Sequence, residues 1–525
     1  MRKNSVLPVK YEKEVKESPL SSFGGAPLFL EFLKSIGFDD IVSRHLKSTS
    51  NQGFHPFHHL LSLTLINILG GESVSDITMV ERDSGLKRFL KKYKNYFSGF
   101  MGREFRKSHS GFFPSATTLF AFLNSFKSCK EEEERESTPK GKSKILPVDE
   151  KLKNLSAINR DIISVAQTLN PQTIATLDMD NNIIVSNKRN AKVSYKKEKS
   201  YQPFNVYWAE QDLMLYNEFR DGNVPPGFEQ LRVLKDGLKQ LPASVKKVQV
   251  RSDSAGYQHD FLEYMESGES RFGKIKFAVS CNVTHSFRSA VLNTPEEEWK
   301  RVTYMDEDGN QIETNHEVAE ICFVPETKNK RKNAPVFRYL ATREVTDIQI
   351  EFSDTGQMMF VTSENAEKKL HLEVFKGSAY KIFGIVTNKS EFPLDILHWH
   401  RKRCGKSEQE HSRLTKDMAG GRFPSGDFGP NAAWWQIAII SLNLLKIFQR
   451  QTLPADLKNA RIKKLHRELF HIAIKIVKRS GGLIVKIGKE LPLYDIIQFA
   501  RRRIIEIEQI LEDAKIWCKN GSMIH

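Results

Sequence analysis

Cysteine is scarce in this chain, and so are long apolar runs. The five cysteines, at 129, 281, 322, 404 and 518, are scattered with no CxxC pair. That spacing argues against both a zinc ribbon and a disulfide framework, and suits a reducing setting. The opening stretch "MRKNSVLPVKYEKEVKESPL" lacks the apolar core of a signal peptide, and the best apolar run, "WWQIAIISLNLLKIF" at 434–448, is too short and too interrupted to span a bilayer. The expectation is a cytoplasmic protein without a membrane segment. No internal repeat is visible.

What the chain has in excess is positive charge. Lys and Arg number 80 against 64 Asp and Glu, a formal net charge of +16 with pI near 9.3. That balance favours polyanionic partners, nucleic acid first among them. Its 525 residues allow two to four domains, and a hydrophobic fraction of 39% is enough to give them cores.

The grammar changes several times along the chain. Residues 1–25 read as a polar leader, and 26–128 as a helical region suited to binding DNA, with "HHLLSLTLINILGG" closing on glycines and "PSATTLFAFLNSF" starting on Pro114 and Ser115. His55, His58 and His59 crowd together in "HPFHH" with no acidic or thiol companion, so packing is the better reading than metal binding. The charged run at 129–148 reads as a solvated linker. From 149 to 281 strand-like and helical segments alternate ("TIATLDMDNNIIVSN", "SVKKVQVRSDSAGY", "GKIKFAVSC"), which predicts a mixed α/β core. Short alternating segments at 282–380 predict a β-rich insertion. A last strand and a helix with an acidic patch return at 381–450, and 451–525 is mainly helical.

Three acidic positions stand where such a core could bring them together: Asp180 on the first strand, Asp253 just past a later one, and Glu408 on the helix after the insertion. Mg²⁺ takes hard oxygen ligands in octahedral geometry, and paired ions roughly 3.5–4 Å apart can activate an attacking oxygen and steady a leaving one. Carboxylates from separate elements supply that donor set. Asp178 lies two residues before Asp180, about 6.5 Å away along a strand and on the same face, so the two cannot readily join Asp253 at one metal centre. The basic residues of "HRKRCGKSEQEHSRLTK", among them Arg403, Lys406, Arg413 and Lys416, would hold phosphates in register. Strand-end aspartates are also common turn formers, and composition alone stops at a basic, nucleic-acid-associated protein.

The local text goes further. "TLDMD", "YQPFNVYWAEQDLMLYNEFRDGNVPPGFEQL", "RSDSAGY", "HWHRKRCGKSEQEHSRLTKDMAGG" and "NAAWWQIAIISLNLL" together resemble the DDE transposases of bacterial insertion sequences, in the branch called DDE group 1. The resemblance implies a cut-and-paste enzyme with an RNase H-like core and a β-rich insertion before the last acidic residue. It also implies Mg²⁺, with Mn²⁺ as substitute, in a two-metal site on Asp180, Asp253 and Glu408. Double-stranded DNA would be the partner, a homodimer the working form on it, and the bacterial nucleoid its location. Asp178 is the alternative first acid, because Asn181 and Asn182 stand where the family has a small residue and Thr.

Related transposases carry a Tyr, Arg, Glu, Lys signature around the last acid, which places His400 at the Tyr, Arg403 at the Arg and Lys416 at the Lys. Each interval here is one residue longer than the usual pattern. At about 100° per residue, Lys416 sits about 80° around a helix from Glu408 and about 120° from Glu410. Glu408 is therefore preferred, and Glu410 reads as its solvated or salt-bridging neighbour. Trp299 could stack on an extruded base, with ordinary core packing as the alternative. A related nuclease without strand transfer, or a silent DNA-binding descendant, are the rival functions.

Overall fold

The computed structural model describes residues 20–47, 53–93, 113–139, 142–306, 308–325, 335–346, 350–352, 358–360, 372–375, 378–403, 406–479 and 482–521. Its centre is a ten-stranded mixed sheet. In chain order the strands are β1 (Ile174–Asn181), β2 (Phe204–Trp208), β3 (Leu213–Glu218), β4 (Lys247–Ser252), β5 (Lys276–Cys281), β6 (Lys300–Met305), β7 (Gln311–Ile321), β8 (Arg338–Thr346), β9 (Leu372–Phe375) and β10 (Ser378–Thr387). Across the sheet they run β6-β7-β8-β10-β5-β4-β1-β2-β3, with β9 pairing to β10.

β1 lies between a parallel neighbour, β4, and an antiparallel one, β2. Five successive residues of it, Ala175 to Met179, are buried, as a strand covered on both faces requires. The alternating segments of the expected insertion do form strands. Most are not a separate layer: β10 pairs antiparallel with β5, so they continue the same sheet, while Ile350–Phe352 and Met358–Phe360 pair with each other in a small sheet of their own.

Edge strand β3 is protected by amides. Helix α1 (Glu150–Leu169) starts on Asp149, whose carboxylate caps Lys151 N–H, and buries the stripe Leu155, Ile158, Ile162 and Ala166. From the same helix, Asn159 donates to the carbonyls of Met214 and Leu215, and Asn443 accepts from Met214 N–H at 2.9 Å while donating to Asn159 at 2.8 Å. At Met214 and Leu215 the outer backbone groups of β3 are thus satisfied without another strand. Helix α2 (Gln230–Gln240) packs on β3 as well.

Asn443 sits on α5 (Phe428–Thr452), 25 residues long and buried along almost its whole length. This is the apolar run of the sequence, surrounded by α1, the helix Pro56–Ile68 and the C-terminal helix Leu493–Gly521. An all-round apolar helix at the centre of a large core has that pattern. No helix among the described residues is long and apolar enough to cross a membrane.

The helices Ala26–Ser35, Phe38–His45 and Pro56–Ile68 share one hydrophobic core with the sheet, and Leu20–Ser21 pairs with Ile474–Lys475 of a small C-terminal sheet. Within the segment expected to be a charged linker, Cys129–Ser137 is a helix. Its Arg135 is buried and fastened to Asp221 and Glu132, and Glu132 accepts from Phe428 N–H at the start of α5. Pairing makes that burial of charge tolerable.

His59 is buried with its ring stacked on Phe122, centroids 4.8 Å apart, and burial pulls its pKa down to about 4. The unfolded chain protonates this imidazole near 6.5, so across that window it binds more protons than the folded one. Stability therefore falls as pH drops from about 6.5 to 4, by up to about 1.4 kcal/mol per pH unit for this single group. His59→Phe keeps the stack and removes the proton. Urea unfolding of this variant should show a pH dependence shallower by up to one proton between pH 6.5 and 4.5; an unchanged slope would contradict the buried, neutral ring.

Candidate active site

Parallel pairing of β1 with β4 sets Asp178 opposite Arg251 and Met179 opposite Ser252. Asp178 is 1% exposed and takes both arms of the Arg251 guanidinium, at 2.5 and 2.7 Å. Arg251 also donates to the Trp399 carbonyl at 2.8 Å. With both oxygens engaged by one guanidinium, Asp178 is a fastener between β1, β4 and α3 (Pro393–Arg401), as a bidentate charged pair suits.

One residue beyond the last register pair, Met179 with Ser252, come Asp180 near the carboxyl end of β1, on the same face as Asp178, and Asp253 just past the carboxyl end of β4. Asp180 accepts from Asn181 N–H and lies 3.7 Å from the Arg403 guanidinium, with about a fifth of its side chain exposed. Asp253 caps the short turn after β4 by accepting from Ala255 N–H at 3.1 Å. That turn depends on Gly256: a Cβ there would stand 2.6 Å from Ser252 Oγ. Two carboxylates thus share one rim of the sheet.

The acidic helix, α4 (Lys406–Ser412), docks at the same rim. His411 is buried and its Nε2 meets Asn205 Nδ2 at 3.2 Å; Asn205 is the cross-strand partner of Asp180 on β2. Glu408 stands one turn before His411 and is exposed. Among the described residues no three His, Cys, Asp or Glu side chains are gathered closely enough to hold one ion. Asp180, Asp253 and Glu408 offer carboxylate oxygens, the donor type Mg²⁺ takes, while the Arg403 guanidinium already partly neutralises Asp180.

Of the two expectations for Glu410, solvated or salt-bridging, the structure shows the second. Glu410 is 3% exposed and bonds Arg413 at 2.9 Å and the Lys446 ammonium at 2.6 Å. Lys446, equally buried on α5, also reaches Asp212 at 3.1 Å. This network clamps α4 to α5 and to the β2–β3 turn. It also occupies Arg413, which the sequence reading had assigned to phosphate.

The chain then makes a π turn over Arg413–Asp417, with Met418 N–H bonding the Arg413 carbonyl and Gly420 N–H that of Leu414. A π turn takes up one extra residue. The uniform α-helical spacing assumed from sequence therefore fails here, and the long interval between Glu408 and Lys416 has a structural seat. Lys416 is exposed.

Two residues expected on the DNA side lie inside. His400 is buried, its Nε2 3.2 Å from the Ser252 carbonyl and 3.4 Å from Ser280 Oγ, and burial pulls its pKa to about 4. Its neutral ring props the end of β4 next to Asp253. Trp299 is 7% exposed beneath the Arg343 guanidinium, 4.2 Å from its centroid, so packing is the reading the structure supports. Cys404 and Gly405 lie outside the described residues, as does the side chain of Lys406.

Sequence reasoning missed Arg251, His411 and Lys446. The last had a signal: a single lysine inside "NLLKIF" of an otherwise apolar helix must find an acid or stay out of the core. Stability measurements separate the two glutamates. Lys446→Met, which leaves buried Glu410 with Arg413 alone, should destabilise by about 3 kcal/mol in urea unfolding, whereas Glu408→Gln should stay within about 0.5 kcal/mol. Equal costs would contradict the placement.

Residues 10–509 match the family described as transposase DDE domain group 1. Among solved structures, the chain is similar to the cryo-EM structure of a piggyBac transposase synaptic complex with hairpin DNA, at 9% identity and a TM-score of 0.35, covering 94% of this chain and 80% of that one. No curated protein matches it.

Proposed function

The chain belongs to the DDE group 1 transposase family, and from that premise we propose that it binds the terminal inverted repeats of its element, cleaves DNA there, and joins the freed 3′-OH ends to target DNA. The observation that supports this reading is the parallel pairing of β1 with β4, which puts Asp180 and Asp253 each one residue past the Met179–Ser252 pair, with the Glu408 helix tied through His411 to Asn205, the cross-strand partner of Asp180. The strand order β3-β2-β1-β4-β5, antiparallel in the first three and parallel in the last, supports an RNase H-like core.

Asp180, Asp253 and Glu408 would hold Mg²⁺, or Mn²⁺ in its place. Such ions supply polarisation of the scissile phosphodiester and of the attacking oxygen. Arg403, 3.7 Å from Asp180, neutralises that carboxylate and is placed to pass to a DNA phosphate. Exposed Lys416 would add a second phosphate contact.

Water attacks the phosphorus first, with the 3′-oxygen leaving as hydroxyl. That 3′-OH then attacks a target phosphodiester, whose own 3′-oxygen leaves as hydroxyl. No protein nucleophile is required, and burial pushes the Cys281 thiol up to about 12. Both ends must be joined together, so a homodimer on DNA is the working form. The helical region 26–128 would take part in end recognition.

Asp253→Asn and Glu408→Gln should lose end cleavage at least about a hundredfold while keeping end binding. Asp178→Asn should instead lose stability along with activity, because it frees a buried Arg251. Incubating a pre-cut 3′-OH end with plasmid should give strand-transfer products. Cutting without joining would leave a nuclease, and normal cutting by both carboxylate variants would remove the site assignment.

A further inference from the structure

Between Asp180 and β2 the chain leaves the main sheet as an arm. Ile184–Val185, Lys192–Val193 and Lys199–Tyr201 form a small sheet of their own. Its text, "NKRNAKVSYKKEK" at 187–199, carries six cations against the single acid Glu198. No role was assigned to this stretch by the reading of the acidic residues.

The arm has a fixed root and a free tip. Ser200 and Tyr201 are fully buried; the Tyr201 ring packs among Phe219, Phe423 and Phe428, and its hydroxyl accepts from Asn431 at 3.2 Å. The following turn lies so close that a Cβ on Gly222 would sit 2.4 Å from the Ser200 carbonyl oxygen. Ile184 lies close to Gly421, in the segment that follows the acidic helix: a Cβ there would stand 3.4 Å from Ile184 Cγ2. The root is therefore wedged between the Asp180 strand and the end of the Glu408 element.

At the tip, Lys197 has φ +64, a left-handed turn closed by Lys197 N–H on the Ser194 carbonyl. Lys196, Lys197 and Lys199 are exposed and make no ion pair among the described residues, and Tyr195 is 66% exposed beside them. By contrast Lys192 and Arg189 are turned to the body, on the Arg135 carbonyl and Asp427. Like charges gathered at one turn repel each other in the folded protein, and an anion opposite them relieves that repulsion. Duplex DNA, with one negative charge per roughly 1.7 Å, is such an anion.

We propose that this arm grips the duplex of the element's own end beside the scissile phosphate, with Lys196, Lys197 and Lys199 on backbone phosphates and the Tyr195 hydroxyl against the sugar-phosphate edge. The proposal rests on the transposase reading above. The element end is the occupant, because the arm springs from the strand that carries Asp180, and the end is the DNA whose phosphate must reach that carboxylate first. Contacts of this kind position DNA without reading sequence.

The test is end binding by the full chain at several salt concentrations. Losing three phosphate contacts in Lys196→Ala/Lys197→Ala/Lys199→Ala should make the slope of log affinity against log salt shallower by about 2–3 and weaken binding at least about tenfold in low salt. The melting temperature should not move, since the tip is exposed. Lys246→Ala/Lys247→Ala, exposed lysines at the opposite end of the Asp253 strand, should keep the wild-type slope.

A triple variant with wild-type affinity and slope would overturn the proposal. So would normal end binding with loss only of target capture by a pre-cut end, which would assign the arm to target DNA. If the wild-type chain itself binds no ends, the transposase reading fails and the proposal goes with it; that outcome is distinct from an arm that simply does not matter.

Discussion

The parallel pairing of β1 with β4, pinned by the Asp178–Arg251 fork, is the constraint on which the rest depends. It fixes the register, and register decides which side chains share a face: one residue of slip would send Asp180 and Asp253 to opposite sides of the sheet. Arg251 reaches past the sheet to the Trp399 carbonyl, so the same guanidinium also fixes the helix from which the acidic segment continues. A buried ion pair of this kind adds little net stability over an apolar substitute, but removing one partner is costly. Its value here lies in specifying a single arrangement.

A second clamp holds the acidic helix. Lys446, Glu410, Asp212 and Arg413 form a buried network, and the Asn205–His411 contact ties the same helix to the strand next to Asp180. Between these anchors Glu408 stays exposed at the rim. The helix is therefore fixed by its buried groups, while Glu408 is exposed and the other two proposed metal carboxylates, Asp180 and Asp253, are half-buried. That division accounts for two glutamates one residue apart having opposite environments.

Much of this was legible in the sequence, and the failures have physical causes. The alternation in "TIATLDMDNN" gave the central strand, and the long apolar run gave the core helix, because periodicity and burial are local properties. Charge placement was less legible. "KEEEERES" reads as solvated because no local feature reveals that Asp221 and the start of α5 will close over Arg135 and Glu132. Glu410 misled for the same reason: its buried partner Lys446 lies more than thirty residues further on, and Arg413 is drawn in with it through its own pair with Glu410. The π turn was invisible to an argument that assumed about 100° per residue throughout. His400 matched a family position in text, yet its environment is a sheet end, not a surface.

The central claim is that Glu408, and not Glu410, joins Asp253 at the metal site. Exchange of a metal carboxylate for a thiol gives a softer ligand, which Mg²⁺ accepts poorly and Mn²⁺ better. The most direct measurement is end cleavage by Asp253→Cys, Glu408→Cys and Glu410→Cys in each metal. The account predicts that the first two are inactive with Mg²⁺ and partly restored by Mn²⁺, with no such metal switch at 410. Full Mg²⁺ activity in Glu408→Cys, or selective Mn²⁺ rescue of Glu410→Cys, would contradict it.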